Sequence, residues 1–374
     1  MTIRLALMIP SLDAGGAEKQ LALLATRLPR DEFEVHVCTL TRDGPYAEWL
    51  DRAGIPHACL HKRWKADPLG WRRVLRYLKR LRPDILHTWL FAANAYGRTA
   101  ALRARVPHIV AGERCADEWK MPHELALDRW LARRSDCLVT NSVGVVRFYQ
   151  RHGIDPERFV VIPNAIEPLE EALSRERCDA PSDLRSELGI PSSARVVGTV
   201  GRLWPQKHHE DIVWAAELLR VVRDDVYFAI IGEGPLRRRL EALIRNFGIE
   251  HRVFLLGHRA DVVHLLPQFD AFWLASGYEG QSNALMEALR AGLPVVVSDI
   301  PGNRELVEHE RTGLVVPVGA RAELARKMRW ILEHPEESRA MGSAAAERIA
   351  RDYSVDAMVT RYAALYRRLM GERD

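Results

Sequence analysis

The chain has 374 residues, 47% hydrophobic and 28% charged, with a formal net charge of +4. This composition excludes a disordered, collagen-like or low-complexity chain, and the length suits about two domains of roughly 150 residues. Five cysteines (Cys38, Cys59, Cys115, Cys137 and Cys178) are scattered without a C-x-x-C pair, so neither structural zinc nor a disulfide framework is expected and a reducing compartment is.

In chain order, predicted strands fall at Ile3–Ile9, Glu34–Leu40, Asp84–Thr88, His108–Gly112, Cys137–Asn141 and Phe159–Ile162. A second series falls at Arg195–Val200, Val226–Ile231, Val253–Leu255, Ala271–Leu274, Pro294–Ser298 and Gly313–Val316. Helical periodicity lies between them at Gly16–Arg27, His209–Val222, Leu236–Asn246, Asn283–Ala291 and Arg321–His334. Continuous apolar strands joined by helices read as parallel sheets buried on both faces. The polar stretch Glu167–Ser193, with Pro168, Pro181 and Pro191, breaks the rhythm and reads as a linker with a short helix near Ser182–Leu188. The tail Tyr353–Met370 reads as a last helix pair striped by Met358, Tyr362, Leu365 and Leu369. The expected layout is an N-terminal domain over 1–170, a linker over 171–193 and a C-terminal domain over 194–353. A final helix over 354–374 is expected to pack back on the first domain.

No apolar run approaches the roughly 18 residues that span a membrane. The opening apolar stretch is short, ends at Pro10 and has no small-residue cleavage site, so it reads as a strand, not a signal peptide. A cytoplasmic location is expected. Residues 1–180 carry 28 Lys/Arg against 23 Asp/Glu, and residues 181–374 carry 26 against 27. The excess concentrates in His61–Pro83, where nine basic residues (Lys62, Arg63, Lys65, Arg72, Arg73, Arg76, Lys79, Arg80, Arg82) accompany one acid, Asp67. Apolar spacing at 71, 74/75, 78 and 81 makes this an amphipathic helix. Three readings stand: a solvated outer face, contact with an anionic membrane surface as a peripheral protein, or binding of another polyanion. No zinc-finger spacing or RNA-binding aromatic motif supports nucleic acid.

Ligands of open α/β sheets sit beyond the carboxyl ends of the strands, so the loops there carry the chemistry. The first strand runs into Gly15 and Gly16, which allow close backbone approach ahead of a helix N-terminus. The loop Gly201–Lys207 offers Arg202 and Lys207, a forked donor and a point charge suited to a diphosphate, or simply a pair of surface cations. Gly232-Glu233-Gly234 is a tight turn and not a dinucleotide loop, because Arg237 stands where the third small residue belongs. Glu279 precedes Gly280, Gln281, Ser282 and the helix from Asn283, where a carboxylate that merely stabilises the helix dipole is the alternative; Glu287 lies one to two turns into that helix among apolar residues, as a buried carboxylate needing donors that sugar hydroxyls could supply. His87 closes a strand, and a satisfied structural histidine is the alternative there. The run His208-His209-Glu210 reads as helix start and surface, with no metal spacing.

Together these elements resemble the retaining glycosyltransferases of family 4. The similarity extends over nearly the whole chain. Its most specific part is Glu279 followed by seven residues and Glu287, which is similar to the family's E-x7-E motif. Gly292–Asp299, Gly302–Val307, Gly201-Arg202…Lys207, Gly15-Gly16-x-Glu18, His87 and Ile162-Pro163-Asn164 complete the pattern. The resemblance implies the GT-B architecture, two Rossmann-like doubly wound parallel-sheet domains facing across a cleft, the first acceptor-side and the second donor-side. It implies that Arg202 and Lys207 bind the donor diphosphate, with Gly15 and Gly16 adding backbone contacts. It further implies that Glu287 holds the ribose, that Glu279 and the 280–283 amides hold the donor sugar, and that His258 and Arg259 lie beside the base. His87 would lie near the sugar and the attacking oxygen, and no catalytic metal or other cofactor is expected. The implied reaction moves a sugar from a nucleotide-diphosphate donor, UDP favoured and GDP open, to a glycan or lipid-linked acceptor in envelope or exopolysaccharide synthesis, with domain closure. Three positions depart from the pattern: Trp89 stands where a second His is frequent, Ala165 replaces the Gly of P-N-G, and His208 replaces a frequent Gly. A nucleotide-sugar epimerase on the same scaffold and a non-catalytic nucleotide-sugar-binding protein are the alternatives.

Overall fold

The computed structural model describes residues 2–175 and 183–371. Cys178, Pro181 and the expected helix start at Ser182 lie outside them. Chain contacts divide the protein into two compact units, one comprising Met1–Ala165 with Val355–Asp374 and the other Ile166–Ser354.

The first unit holds a seven-stranded sheet: β1 (Ile3–Ser11), β2 (Phe33–Arg42), β3 (His57–Cys59), β4 (Ile85–Trp89), β5 (His108–Glu113), β6 (Cys137–Thr140) and β7 (Phe159–Val161), in the order β3-β2-β1-β4-β5-β6-β7. Every pairing is parallel, with Leu7 opposite Val37 on one side and His87 on the other. Alternate residues of β1 feed two cores. Leu5, Leu7 and Ile9 pack with Val35, Val37, Tyr362 and Tyr366, whereas Ala6 and Met8 pack with Leu78, Leu86 and Ala93. That two-sided burial is why these strands read as unbroken apolar runs. β3 was not expected; its His-Ala-Cys sequence carries no apolar run, and pairing to β2 alone makes it a strand.

The tail is a single helix, Val355–Leu369, and not a pair. Its expected stripe is largely correct: Met358, Tyr362 and Leu365 are buried in the first unit's core, and Leu369 packs against it. Arg367 adds a bidentate pair to Glu32 at 2.7 and 2.9 Å.

The second unit holds six parallel strands: β8 (Arg195–Val200), β9 (Val226–Ile231), β10 (Val253–Gly257), β11 (Ala271–Leu274), β12 (Val295–Ser298) and β13 (Leu314–Val316), in the order β10-β9-β8-β11-β12-β13. Phe228, Ile230 and Trp273 face one core, and Ala229, Ile231, Phe272 and Leu274 the other. In the segment expected as a linker, helices Leu169–Arg175 and Leu184–Leu188 flank the undescribed residues. Strand order reverses once in each sheet, between β1 and β4 and between β8 and β11. No helix among the described residues is long and apolar enough to cross a membrane.

Candidate functional site

In the second unit the reversal brings together the loop after β8 and the loop after β11. Lys207 ends a one-turn helix, Pro205–Lys207, and its ammonium pairs with Glu279 Oε1. Ser276 Oγ donates to the same oxygen at 2.9 Å, and Gln206 Nε2 donates to Glu279 Oε2 at 3.2 Å and to the Tyr278 carbonyl at 2.8 Å. Both members of the pair are largely enclosed, with 15% and 9% of their side chains exposed. Arg202 is different. It is exposed, stands 5.7 Å over the Trp204 ring, and has no acidic partner among the described residues.

The glycines near this site act through close approach. A Cβ at Gly302 would overlap the Gly280 carbonyl oxygen, so the helix Pro301–Leu306 fits against the Glu279 loop only without a side chain there. Asn303 and Ser298 secure the loop further: Asn303 Nδ2 donates to the Ser298 carbonyl at 2.9 Å and Ser298 Oγ to the Ser276 carbonyl at 2.5 Å. The Gly232–Gly234 turn supports the Arg202 loop in the same way; a Cβ at either glycine would meet the backbone of Gly201 or Leu203. Its glycines thus serve packing, in keeping with the rejected dinucleotide reading.

Ser282 caps the helix Asn283–Arg290, and Gln281 is buried with Nε2 3.2 Å from Glu305. Glu287 is not the buried carboxylate expected. Leu285, Met286 and Leu289 take the inner face, and Glu287 shares the half-exposed face with Asn283, one turn back. Arg259 is committed to Asp261 at 2.7–2.8 Å and to Glu187, carboxylates that push its pKa up; His258 beside it is exposed at the end of β10.

The helix His209–Arg220 starts here as expected and His208 is half-exposed, whereas His209 departs from the surface reading. His208 has φ of 50°, a left-handed conformation that glycine adopts without strain. Its Nδ1 lies 3.0 Å from Asp211 Oδ2, a hydrogen bond that raises its pKa, and Arg321 holds the other Asp211 oxygen at 2.5 Å. His209 is buried, its Nδ1 lacks a partner, and desolvation lowers its pKa to about 3, so it is neutral at physiological pH.

In the first unit, the turn after β1 places Gly15 and Gly16 at the start of the helix Gly16–Arg27, but the Glu18 carboxylate folds over Gly15, where a Cβ would overlap it. His87 lies inside β4 and not at its end. Its ring is fully buried against Trp89, Tyr362 and Tyr366, with Nδ1 2.8 Å from the Tyr366 hydroxyl and Nε2 without a partner. Burial, aided by Arg114, lowers its pKa to about 3. The strand instead ends at Trp89, and Leu90 takes φ of 69° at the start of the helix Leu90–Ala104; a bulky residue in that conformation stores strain of order 1–3 kcal/mol.

Sequence reasoning missed a buried charge cluster at the carboxyl end of β5. Lys120 Nζ, wholly enclosed, lies 3.3 Å from Glu113, 3.2 Å from Asp117 and 2.8 Å from Asp128; Arg98 pairs with Asp128 at 3.0 Å, and the Tyr149 hydroxyl donates to Glu113 at 2.7 Å. Desolvation raises the Asp128 pKa to about 6. Its only sequence signal is an aperiodic run of charges from Glu113 to Asp128. Among the described residues no group of His, Cys, Asp and Glu side chains is arranged to hold a metal ion.

Comparison with known proteins agrees with this layout. Residues 14–168 match the model for Glycosyltransferase Family 4 and residues 182–348 that for Glycosyl transferases group 1. The chain belongs to glycosyltransferase family 4. Its relatives include the UDP-Gal:alpha-D-GlcNAc-diphosphoundecaprenol alpha-1,3-galactosyltransferase of Escherichia coli, 29% identical over 77% of each chain. Another is a Campylobacter jejuni diphospho-undecaprenol 4-alpha-N-acetylgalactosaminyltransferase, 26% identical over 88% of this chain and 90% of that one. Among solved structures, Anabaena HepE in complex with UDP and glucose superposes with a TM-score of 0.85 at 23% identity, covering 97% of this chain and 99% of that one. The fold of this family 4 member is therefore of the GT-B class.

Proposed function

We propose that the chain is a retaining hexosyltransferase that moves a sugar from a UDP-sugar, with a GDP-sugar as second choice, to a glycan or lipid-linked acceptor in envelope or exopolysaccharide synthesis. The observation that carries this reading is the presence in one loop, at the reversal of the second sheet, of Arg202, which has no acidic partner among the described residues, and of Lys207, held by Glu279. Two cations at the carboxyl ends of parallel strands suit a diphosphate. The E. coli relative named for a UDP-Gal donor and a diphosphoundecaprenol acceptor supports the choice of base and acceptor class.

In this reading Arg202 and Lys207 stabilise charge growing on the departing diphosphate. Glu279 and the 280–283 segment orient the sugar, and Glu287, on the half-exposed helix face beside Asn283, takes the ribose hydroxyls. The bond from the anomeric carbon to the phosphate oxygen breaks, the acceptor oxygen bonds to that carbon from the same face, and the acceptor proton passes to the released phosphate. His87, enclosed and neutral, is assigned no proton transfer; it seats the final helix through Tyr366.

The test is thermal stabilisation by UDP, GDP, ADP and CMP in wild type and Arg202→Ala, followed by transfer from the matching sugar donor. Saturation at 100 times Kd adds about 2.7 kcal/mol. Stabilisation by UDP, lost in the variant, and sugar transfer are expected. No shift with any nucleotide, or conversion of a nucleotide sugar without acceptor, would overturn the proposal.

A further inference from the structure

The helices Pro122–Ala132 and Val143–Arg151 precede β6 and β7, so both end at the amino edge of the first unit's sheet, opposite the edge that carries the strand-end loops. A cavity of about 400 Å³ opens there, between the two helix ends and the one-turn helix Pro156–Arg158. Three arginines line it, Arg129, Arg133 and Arg158, and one acid, Asp155.

The usual work of arginine at a helix C-terminus is to satisfy the last carbonyls. Other groups already do that here. The Trp130 carbonyl accepts from Arg134 Nη1 at 2.9 Å, and that of Leu131 from the Arg134 amide at 2.9 Å and Ser135 Oγ at 3.0 Å. The Tyr149 carbonyl accepts from the His152 and Ile154 amides at 3.0 and 3.1 Å, and that of Gln150 from the Gly153 amide at 3.0 Å. Of the three arginines only Arg158 is engaged, through Nη1 to the Ala132 carbonyl at 3.2 Å. The side chains of Arg129 and Arg133 have neither an acidic partner nor a hydrogen bond among the described residues, and both are exposed. Gly153, at φ of 79°, leaves room for one of them: a Cβ there would stand 3.3 Å from Arg129 Cδ and 3.5 Å from its Nη1. Asp155 is committed to its own turn, accepting from the Glu157 amide at 3.0 Å. Three guanidinium groups against one carboxylate leave a charge of +2 in the lining. The partial negative charges of two helix C-termini, about half a unit each, offset only part of it.

We propose that this cavity binds the phosphate group of a small phosphorylated molecule, with Arg129 and Arg133 as forked donors and Arg158, steadied by Ala132, as the third cation. Guanidinium forks match phosphate oxygens in pairs. The volume falls in the range of small-molecule sites and exceeds what one phosphate ion fills, so a second phosphate or an organic part fits beside the first. The site shares no residue with the 201–207 and 279–287 loops, and it stands whether or not the donor reading does.

The test is hydrogen–deuterium exchange of the full chain with inorganic phosphate, inorganic pyrophosphate and glucose 1-phosphate, each titrated. Amides of 129–135 and 152–158 should gain protection. Arg129→Ala with Arg133→Ala should weaken that binding at least about tenfold, whereas Arg202→Ala should leave protection in these segments unchanged, which separates this site from the proposed donor site. Tighter binding of glucose 1-phosphate than of either inorganic ion makes the occupant a phosphorylated sugar, and tighter binding of pyrophosphate makes it a free phosphate anion; both support the site. Should the double variant fail to fold, Asp155→Asn, which keeps an acceptor for the Glu157 amide, should tighten binding roughly fivefold, and unchanged affinity there would count against the site. No protection by any of the three anions, equal affinity in the arginine double variant, or protection matched by chloride at the same ionic strength would overturn the proposal.

Discussion

Glu279→Gln separates two consequences of one carboxylate. In the free protein Glu279 neutralises Lys207 while also accepting from Ser276 and Gln206. The amide is isosteric and keeps a carbonyl for Lys207 and Ser276, and Gln206 gives up its longer bond to residue 279 but keeps the 2.8 Å bond to the Tyr278 carbonyl, so the loop should hold. What disappears is a full negative charge beside the lysine that would receive a phosphate. A unit charge about 6 Å from that phosphate, in the partly solvated setting of this loop, is worth roughly 1 kcal/mol. UDP should therefore bind about fivefold tighter to the variant. Turnover should move the other way: if Glu279 orients the sugar as proposed, its loss costs on the order of a hundred- to a thousandfold in kcat. Titration calorimetry with UDP and initial rates at saturating donor give the two numbers separately. Weaker UDP binding, or a kcat within threefold of wild type, would refute the assignment of Glu279 to both Lys207 and the sugar.

Lys120→Met removes the cation at the centre of Glu113, Asp117 and Asp128 and should cost about 3–5 kcal/mol at neutral pH. The Asp128 pKa is already raised to about 6 in the folded protein, so the orphaned carboxylates take up protons in the folded state first and the gap to wild type should narrow as pH falls below about 6; denaturant unfolding at pH 7.5 and pH 5 that shows an equal or wider gap at pH 5 contradicts this. His208→Gly relieves a left-handed residue worth about 1 kcal/mol but loses the bond to Asp211, which is strongest while the imidazole is charged. A group with a raised folded pKa stabilises below its unfolded value of about 6.5 and loses that contribution as pH rises through the folded one. The glycine variant should thus be less stable than wild type at pH 6 relative to its standing at pH 8.5, and a pH-independent difference in urea midpoints rules this out. Gly302→Ala should destabilise by about 1–3 kcal/mol through overpacking against Gly280 and also reduce UDP-dependent stabilisation, although residue 302 lies outside the proposed ligand set; an unchanged melt would show that the loop yields freely.

Periodicity carried the architecture in the sequence because both faces of each sheet are buried, which leaves strands such as Val226–Ile231 as bare apolar runs. β3 escaped because its three residues owe their conformation to a neighbouring strand. The loop residues Arg202, Lys207 and Glu279 were legible as chemistry-bearing types at strand ends, and the structure brings Lys207 and Glu279 into contact. Burial was not legible. One-dimensional spacing could not show that His87 points into the final helix, whose Tyr366 lies 279 residues away, or that His209 turns inward while His208 turns toward Asp211. Glu287 misled for the opposite reason: its apolar neighbours line the other face of an eight-residue helix. The Lys120 cluster is assembled from β5, three helices and a loop, and no local pattern encodes it.

The departure at His208 and the glycine at 302 share a physical cause. Both flank the same pair of loops, and both answer a backbone demand: a left-handed residue where the Lys207 turn enters its helix, and a bare Cα where the next helix meets the Glu279 loop. A glycine would meet the first demand without strain. Histidine meets it at a cost, and recovers part of that cost through Asp211 and, beyond it, Arg321. The imidazole thereby ties the Lys207 turn to a second carboxylate–arginine pair that a glycine could not reach. If Lys207 exchanges Glu279 for a donor phosphate, the turn must hold its shape while its internal salt bridge opens. The His208–Asp211–Arg321 chain supplies that hold, so the substitution that departs from the family pattern ties down the turn that carries Lys207, the proposed diphosphate ligand.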